Sequence, residues 1–299
     1  MFKKNRLRKP SSELTLRTKT EKVILTIFFV WFAIYAITLI APMIWTLYNS
    51  FKTMRTYNED PFFVPSFSQM QWSNYAKIFD EDSISVSIPF AIFNTVWRTV
   101  GSVSVGMFFT ACTSYVVCKY SHEFKWLNWI YAFVVTIMII PVLGSTAASY
   151  EINHNILGIA NKPWLYWLSW TSGIGFSFLM LYAAWQSLSW SYAEAAFIDG
   201  ASNFRVFFNV MLPMIKPVLS ALFVVNFIGG WSEYMETILY MDEWPSLGYL
   251  VYALQTQAQY FGMPMYFAVI VISMIPTTAV FIGFQETIMK NVTTGGLKG

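Results

Sequence analysis

The chain has 299 residues, of which 56% are hydrophobic and only 12% charged, with a formal net charge of +3. Soluble domains carry about 25% charged residues, and a water-soluble chain of this length could not hide so much apolar surface. The composition therefore excludes a soluble enzyme or binding domain, and the small net charge gives no footing for nucleic acid.

In chain order, a basic head comes first. Eight of the nineteen Lys and Arg lie between Lys3 and Lys22. The apolar run from Val23 to Leu47 is too long for a signal-peptide core, and no small-residue cleavage pattern follows, so it reads as a retained first span. Apolar stretches near the ~20 residues needed to cross a bilayer recur after it. They predict an all-α integral membrane protein of six transmembrane helices at about 23–48, 88–118, 127–150, 164–188, 218–240 and 265–286. Pro141 and Gly144 interrupt the third, and the segment from Ser169 to Gly175 makes the fourth small and polar. Such spans face protein, where neighbouring helices satisfy freed backbone groups.

Orientation follows from the basic residues. With the amino terminus inside, the head, Lys119, Lys125, Arg205, Lys216, Lys290 and Lys298 put fourteen on the cytoplasmic side. Lys52, Arg55, Lys77 and Lys162 put four outside. That bias predicts both termini to be cytoplasmic. The expected organisation is a basic tail over 1–22, a permease domain over 23–286 with a cytoplasmic loop at 189–217, and a carboxy-terminal tail over 287–299.

Residues inside the spans and outer loops leave several readings open. Arg98 is the basic residue well inside a span. It can pair with Glu151, Glu233 or Glu236, snorkel outward, or touch a solute, since buried ionisable groups in membranes face a bundle interior or a water cavity. Trp231 and Tyr234 can stack on a sugar ring or act as packing and interface anchors. Glu233 can hydrogen-bond a polyhydroxyl solute or pair internally. Cys112 and Cys118 read as small packing residues, and no cluster of metal-ligand spacing suggests a metal or other cofactor. His154 reads as a solvated loop residue. The outer loop 241–264 is either a connector or a docking surface for a partner.

The cytoplasmic loop is the most organised extramembrane segment. Ser191-Tyr192-Ala193-Glu194 has the form of a capping box. Ala193, Ala195 and Ala196 favour helix and let another surface approach closely. Gly200 permits the left-handed conformation that ends such a helix. Ser202 or Asn203 can cap the next, whose Phe204, Phe207, Phe208 and Met211 repeat at helical spacing before Pro213 and Pro217 end it. The residues alone allow an interfacial connector or a small-residue knob shaped for a cytoplasmic groove.

This loop resembles the EAA loop of ABC-importer permeases, which runs Glu-Ala-Ala, Asp-Gly-Ala, then a hydrophobic stretch to Leu-Pro. Here those positions are Glu194-Ala195-Ala196, Asp199-Gly200-Ala201 and Leu212-Pro213. Asn94-Thr95, Phe227, Trp231-Ser232-Glu233-Tyr234 and the tail Thr293-Thr294-Gly295-Gly296-Leu297-Lys298-Gly299 are similar to the carbohydrate-uptake, maltose-permease-like branch. Gln285-Glu286 departs from it, because basic or aromatic residues more often follow the Gln.

The resemblance implies a type I importer transmembrane domain in the inner membrane. Its partners would be a second homologous permease, two ATP-binding subunits and an extracytoplasmic solute-binding protein, with lipid around it. It also implies that Glu194, Ala195, Ala196, Asp199, Gly200, Ala201, Arg205, Leu212 and Pro213 form the ATPase-docking loop. Gln285, Thr294, Gly295, Gly296 and Lys298 would form an ATPase-contacting tail. Without a phosphate-binding Gly-x-x-x-x-Gly-Lys-Ser/Thr loop, the chain is not itself the ATPase, and no other enzyme is expected, because its acids fall on opposite sides of the membrane and no catalytic cluster assembles. The rival reading, a secondary transporter driven by an ion gradient, requires an acidic site at the bilayer centre and an inverted repeat.

Overall fold

The computed structural model describes residues 19–79, 87–140, 145–163, 174–257 and 262–295. Every regular element among them is helical. The first, α1 (Lys19–Ser50), holds 32 residues, about 48 Å at ~1.5 Å per residue and ample for a ~30 Å hydrocarbon core. Its apolar side chains point outward on all sides, Phe29 being 73% exposed. A helix apolar all round lies against lipid or other protein.

The chain then folds back on the end of α1. The short helices α2 (Met54–Glu59) and α3 (Ser73–Lys77) are pinned there by polar contacts. Asn74 Nδ2 donates to the carbonyls of Ser50 and Lys52, each at 2.8 Å. Lys52 is buried, and its ammonium donates to the carbonyls of Asp60 (3.0 Å) and Pro61 (2.9 Å). Loss of water around the ammonium pushes its pKa down from the ordinary lysine value, and the nearby Asp60 carboxylate opposes that shift.

The long helix α4 (Ile88–Lys119) is the spine of the bundle. Near its start, Ile88 and Ala91 join Phe227, Trp231, Leu247, Leu250, Leu254, Ala268 and Val269 in one buried cluster. Near its end, Met107, Ala111 and Tyr115 join Leu181, Trp185, Val206, Phe207 and Met211 in another. Cys112 and Cys118 are free thiols packed against that second cluster.

The expected third span is interrupted where Pro141 falls, and the fifth departs from a continuous helix. Helix α5 (Leu127–Ile139) has 13 residues, about 20 Å. Ile140 leaves it at φ −78° and ψ 117°, because the following Pro141 clashes with helical geometry at the preceding residue. The chain resumes as α6 (Ser145–Glu151) and a π-helical turn over Ile152–Ile156, where His154 is exposed and its ring lies 4.6 Å from that of Tyr150. Of the fourth expected span, 164–173 lies outside the described residues. Its remainder is α7 (Phe176–Ser187), entered from Gly175 at φ 138°.

Helix α8 (Ser191–Ile198) and the surface helix α9 (Asn203–Met214) follow. A 75° bend then leads into α10 (Lys216–Trp231). The fifth span is broken at Ser232–Tyr234 rather than continuous to 240, and restarts as α11 (Met235–Tyr240). The Glu233 carboxylate makes the break, accepting from the amides of Met235 (2.7 Å) and Glu236 (3.2 Å) and so capping a new helix. Helices α12 (Leu247–Thr256) and α13 (Met263–Gly295) complete the described chain, α13 running nine residues past the expected end of the sixth span. Among the described residues α1, α4 and the 263–286 part of α13 are long and apolar enough to cross a bilayer. The bent pair α9–α10 makes a fourth if counted as one span.

Candidate functional site: a surface knob and a polar cleft

The segment 189–215 forms a knob seated on a packed core. The capping box expected at Ser191 and Glu194 does not form. The carbonyl of Trp190 instead accepts from the amides of Ala193 (2.9 Å) and Glu194 (3.1 Å), and Ser189 Oγ accepts from the amide of Ser191 at 3.3 Å. Helix α8 thus starts without the Glu194 side chain, which stays on the exposed face with Ala195. Its other end closes as a Schellman turn. The amide of Gly200 donates to Phe197 O (2.9 Å) and that of Ala201 to Ala196 O (3.0 Å), with Gly200 at φ +80°. Ser202 caps α9, its hydroxyl accepting from the Arg205 amide at 3.5 Å.

Beneath the turn, Ala193, Val206, Phe207, Met211 and Ile215 are buried against Tyr115, Leu181 and Trp185. Trp185 Nε1 donates to Ser114 Oγ at 3.0 Å, which locks α7 to α4. The Lys119 ammonium donates to Leu188 O at 2.7 Å, so a cation meets the carboxy-terminal end of α7, where the helix dipole favours it. Outward, Ile198 is 86% and Phe204 78% exposed. A small-residue helix backed by a packed core and edged by such apolar side chains is a surface built to be covered. Asp199 and Arg205 are exposed, Leu212 is half-buried and Pro213 is exposed on the same knob.

The second constellation lies inside the bundle. Arg98 is buried in α4, and Nη2 reaches the Glu236 carboxylate at 3.0 Å while Nη1 donates to Thr237 Oγ1 at 2.8 Å. The partner is thus Glu236 and not Glu151. Thr237 Oγ1 donates to Ser246 Oγ (3.1 Å), which donates to the carbonyl of Glu233 (3.1 Å). Beside this relay is a cavity of about 170 Å³ lined by Thr95, Arg98, Gly229, Gly230, Glu233 and Glu236 among others.

Asn94 and Thr95 hold the start of α12 on α4. Asn94 Nδ2 donates to Pro245 O (3.0 Å), and the Leu247 amide donates to Thr95 Oγ1 (2.7 Å). Trp231 is spent inside the chain: 4% exposed, stacked 5.6 Å from Phe227 and donating from Nε1 to Ser273 O at 2.9 Å. Tyr234 is half-buried and stacks on Tyr252 at 4.9 Å. The site residues that sequence reading missed are Thr237 and Ser246. Their only sequence signal is a hydroxyl in an otherwise apolar stretch. In the tail, Gln285 is exposed, and Thr294 and Gly295 end α13. Gly296 and Lys298 lie outside the described residues, as does the 258–261 part of the outer loop.

A helical bundle with several helices long and apolar enough to cross a bilayer, a surface knob and an internal polar cleft has the build of a multi-pass membrane protein. The chain belongs to the family described as binding-protein-dependent transport system inner membrane component, whose model matches residues 14–294. It is a multi-pass membrane protein of that kind.

Among its relatives it is 28% identical over 88% of its length, and 85% of theirs, to the diacetylchitobiose uptake system permease protein NgcG of Streptomyces coelicolor. It is 25% identical to the multiple sugar-binding transport system permease protein MsmG of Streptococcus mutans, over 94% of this chain and 99% of that one. It is also 25% identical to the maltose/maltodextrin permease MalG of Vibrio parahaemolyticus, over 71% and 74%. A crystal structure of a bacterial ABC transporter for the acidic polysaccharide alginate has a chain of the same fold, with TM-score 0.68, 19% identity, and 90% of this chain and 98% of that one covered.

Proposed function

We propose that the chain is one of two permease subunits in an ATP-driven, solute-binding-protein-dependent importer for a sugar or oligosaccharide. The observation that carries this reading is the knob at 191–205, an Ala-rich helix ended by a glycine-dependent turn and seated on a packed core. Glu194, Ala195, Ala196 and Asp199–Ala201 dock in a cleft of an ATP-binding subunit, and α9 transmits the motion to α10 through the bend at Ile215. Closure of the two ATPases around nucleotide draws the paired knobs together and favours the outward-open bundle. Hydrolysis releases the inward-open one. Hydrolysis of ATP belongs to those separate subunits.

On this reading both termini and the knob are cytoplasmic, six spans cross the membrane, and the tail after Gln285 extends between the ATPases. The outer loop 241–264 meets the solute-binding protein, and Arg98, Glu233 and Tyr234 face the solute's route. The relatives' names support the sugar class, and the EAA-like loop supports the ATPase. The ion-driven alternative is not favoured, because the family and the relatives' names are those of binding-protein-dependent permeases.

Affinity purification of the tagged chain from its native membrane tests the reading. A second permease and an ATPase are expected, together with crosslinks from Ala195→Cys to the ATPase. Solute uptake in a preparation where neither partner is ever captured would refute it.

A further inference from the structure

The polar cleft does not stop at Arg98. Ser102 lines the 170 Å³ cavity and also a second cavity of about 330 Å³, so the two adjoin. The second is lined by Ser102, Gly106, Thr110, Gly175, Ser177 and Asn226, together with apolar residues. On α4 the residues Thr95, Thr99, Ser102, Gly106 and Thr110 recur every three or four positions and so share one helix face. That face extends about 22 Å at ~1.5 Å per residue, most of a ~30 Å hydrocarbon core. Away from that face, Phe93 and Val100 are exposed and apolar.

Polar groups at this depth are costly and mark solute routes. Here their chemistry is specific. Thr95 and Thr110 spend their hydroxyl protons on the carbonyls four residues back, at 2.8 and 2.7 Å, and Ser102 on that of Thr99 at 3.2 Å. Ser102 and Thr110 keep lone pairs that can accept, and Thr95 keeps one beside the Leu247 amide it already receives. Thr99, on the same wall, has a buried Oγ1 without a hydrogen-bond partner. Asn226 Nδ2 donates to Leu222 O (2.7 Å) and to Ser177 Oγ (3.1 Å), so its amide protons are also engaged. The charged residues lining the two cavities are Arg98, Glu233 and Glu236. Arg98 is neutralised by Glu236, so Glu233, whose Oε1 accepts the amides of Met235 and Glu236 while its other oxygen accepts from none of the described residues, leaves one net negative charge. The wall is rich in acceptors and negative in sign.

We infer that this α4 face and the facing residues of α7 and α10 are the chain's wall of the solute lane, and that the lane accepts neutral polyhydroxyl solutes and rejects anionic ones. A neutral oligosaccharide brings many hydroxyl donors to those acceptors, whereas a uronate or sulfonate meets the Glu233 carboxylate with no unpaired cation among the described lining residues. The sign is a property of these residues and not of the fold, since a chain of the same fold belongs to a transporter for an acidic polysaccharide. The assignment rests on the importer reading above.

The test needs no solute. In a Cys112→Ala, Cys118→Ala background expressed with its partners, Ser102→Cys, Thr110→Cys, Ser177→Cys and Val100→Cys are reacted in membrane vesicles with two thiol reagents. One is a cationic trimethylammonium-ethyl methanethiosulfonate and the other its anionic sulfonatoethyl counterpart. The three lane positions are expected to react at rates that differ between nucleotide-free and ATP-plus-vanadate states, and Val100→Cys not to react. At Ser102→Cys the cationic reagent should be faster by about three- to tenfold, and Glu233→Gln should bring that ratio towards one.

Equal labelling of Val100→Cys and Ser102→Cys, or a faster anionic reagent, overturns the inference. Absent labelling while the ATPase still co-purifies removes the lane and leaves the importer. Labelling at the lane positions that no nucleotide state alters, with no ATPase co-purifying, counts instead against the importer reading.

Discussion

Replacing Gly200 by valine isolates the contribution of the knob. An added Cβ at Gly200 meets no atom within 4 Å, so the effect is purely one of backbone conformation. At φ +80° a non-glycine residue costs about 1–2 kcal/mol, and a β-branched one sits at the upper end or beyond. If the turn relaxes to a negative φ, the Gly200–Phe197 and Ala201–Ala196 hydrogen bonds open, at about 1 kcal/mol each. The contact of Ala201 with the cluster under α8 goes with them. Either route puts about 2–4 kcal/mol on a turn at the surface and leaves the buried members of the clusters along α4 in place, Ala201 being only half-buried at the edge of one. Gly200→Val should therefore insert and accumulate normally while losing the ATPase on purification and losing ATP-driven uptake. Asn tolerates the left-handed region, so Gly200→Asn should retain most of both. If Val and Asn variants capture the ATPase and transport as the parent does, the shape of this turn does not govern docking.

Three further substitutions probe the bundle. Arg98→Met strands the Glu236 carboxylate; because that side chain is 40% exposed, the loss should be about 2–3 kcal/mol rather than the 3–5 of a fully buried pair. The double variant Arg98→Met/Glu236→Gln should recover part of it in a detergent melt. Gly248→Ala drives a methyl to 2.9 Å from the Glu233 carbonyl and 3.0 Å from that of Ser232, so about 1–3 kcal/mol of stability should disappear in the same melt; an unchanged midpoint would show that α12 shifts freely. Lys52→Met leaves the Asp60 and Pro61 carbonyls without their donor, costing about 1–3 kcal/mol locally, read by hydrogen exchange over 51–79. Since the folded chain lowers the Lys52 pKa, the unfolded chain holds that proton to higher pH, and the segment should gain stability as pH climbs towards 10.5. Lys52→Met should abolish that alkaline slope.

Composition and hydropathy were enough to make this an all-helical membrane chain, because an apolar run of ~20 residues has no other stable fate in lipid. They located α1, α4 and the core of α13, and the turn at Gly200 was legible because Schellman chemistry is local to six residues. Local signals also misled. Ser191 and Glu194 match a capping box, yet the backbone of Trp190 took the cap first. The fifth apolar run reads as one span, yet Glu233 restarts the helix inside it. What no stretch of sequence holds is pairing across helices. Arg98 meets Glu236 over 138 positions, and Thr95 receives the Leu247 amide over 152. Hydropathy and backbone preference act between near neighbours, whereas the partner of a buried charge depends on how separate helices are rotated and set in depth. Only the packed bundle decides that.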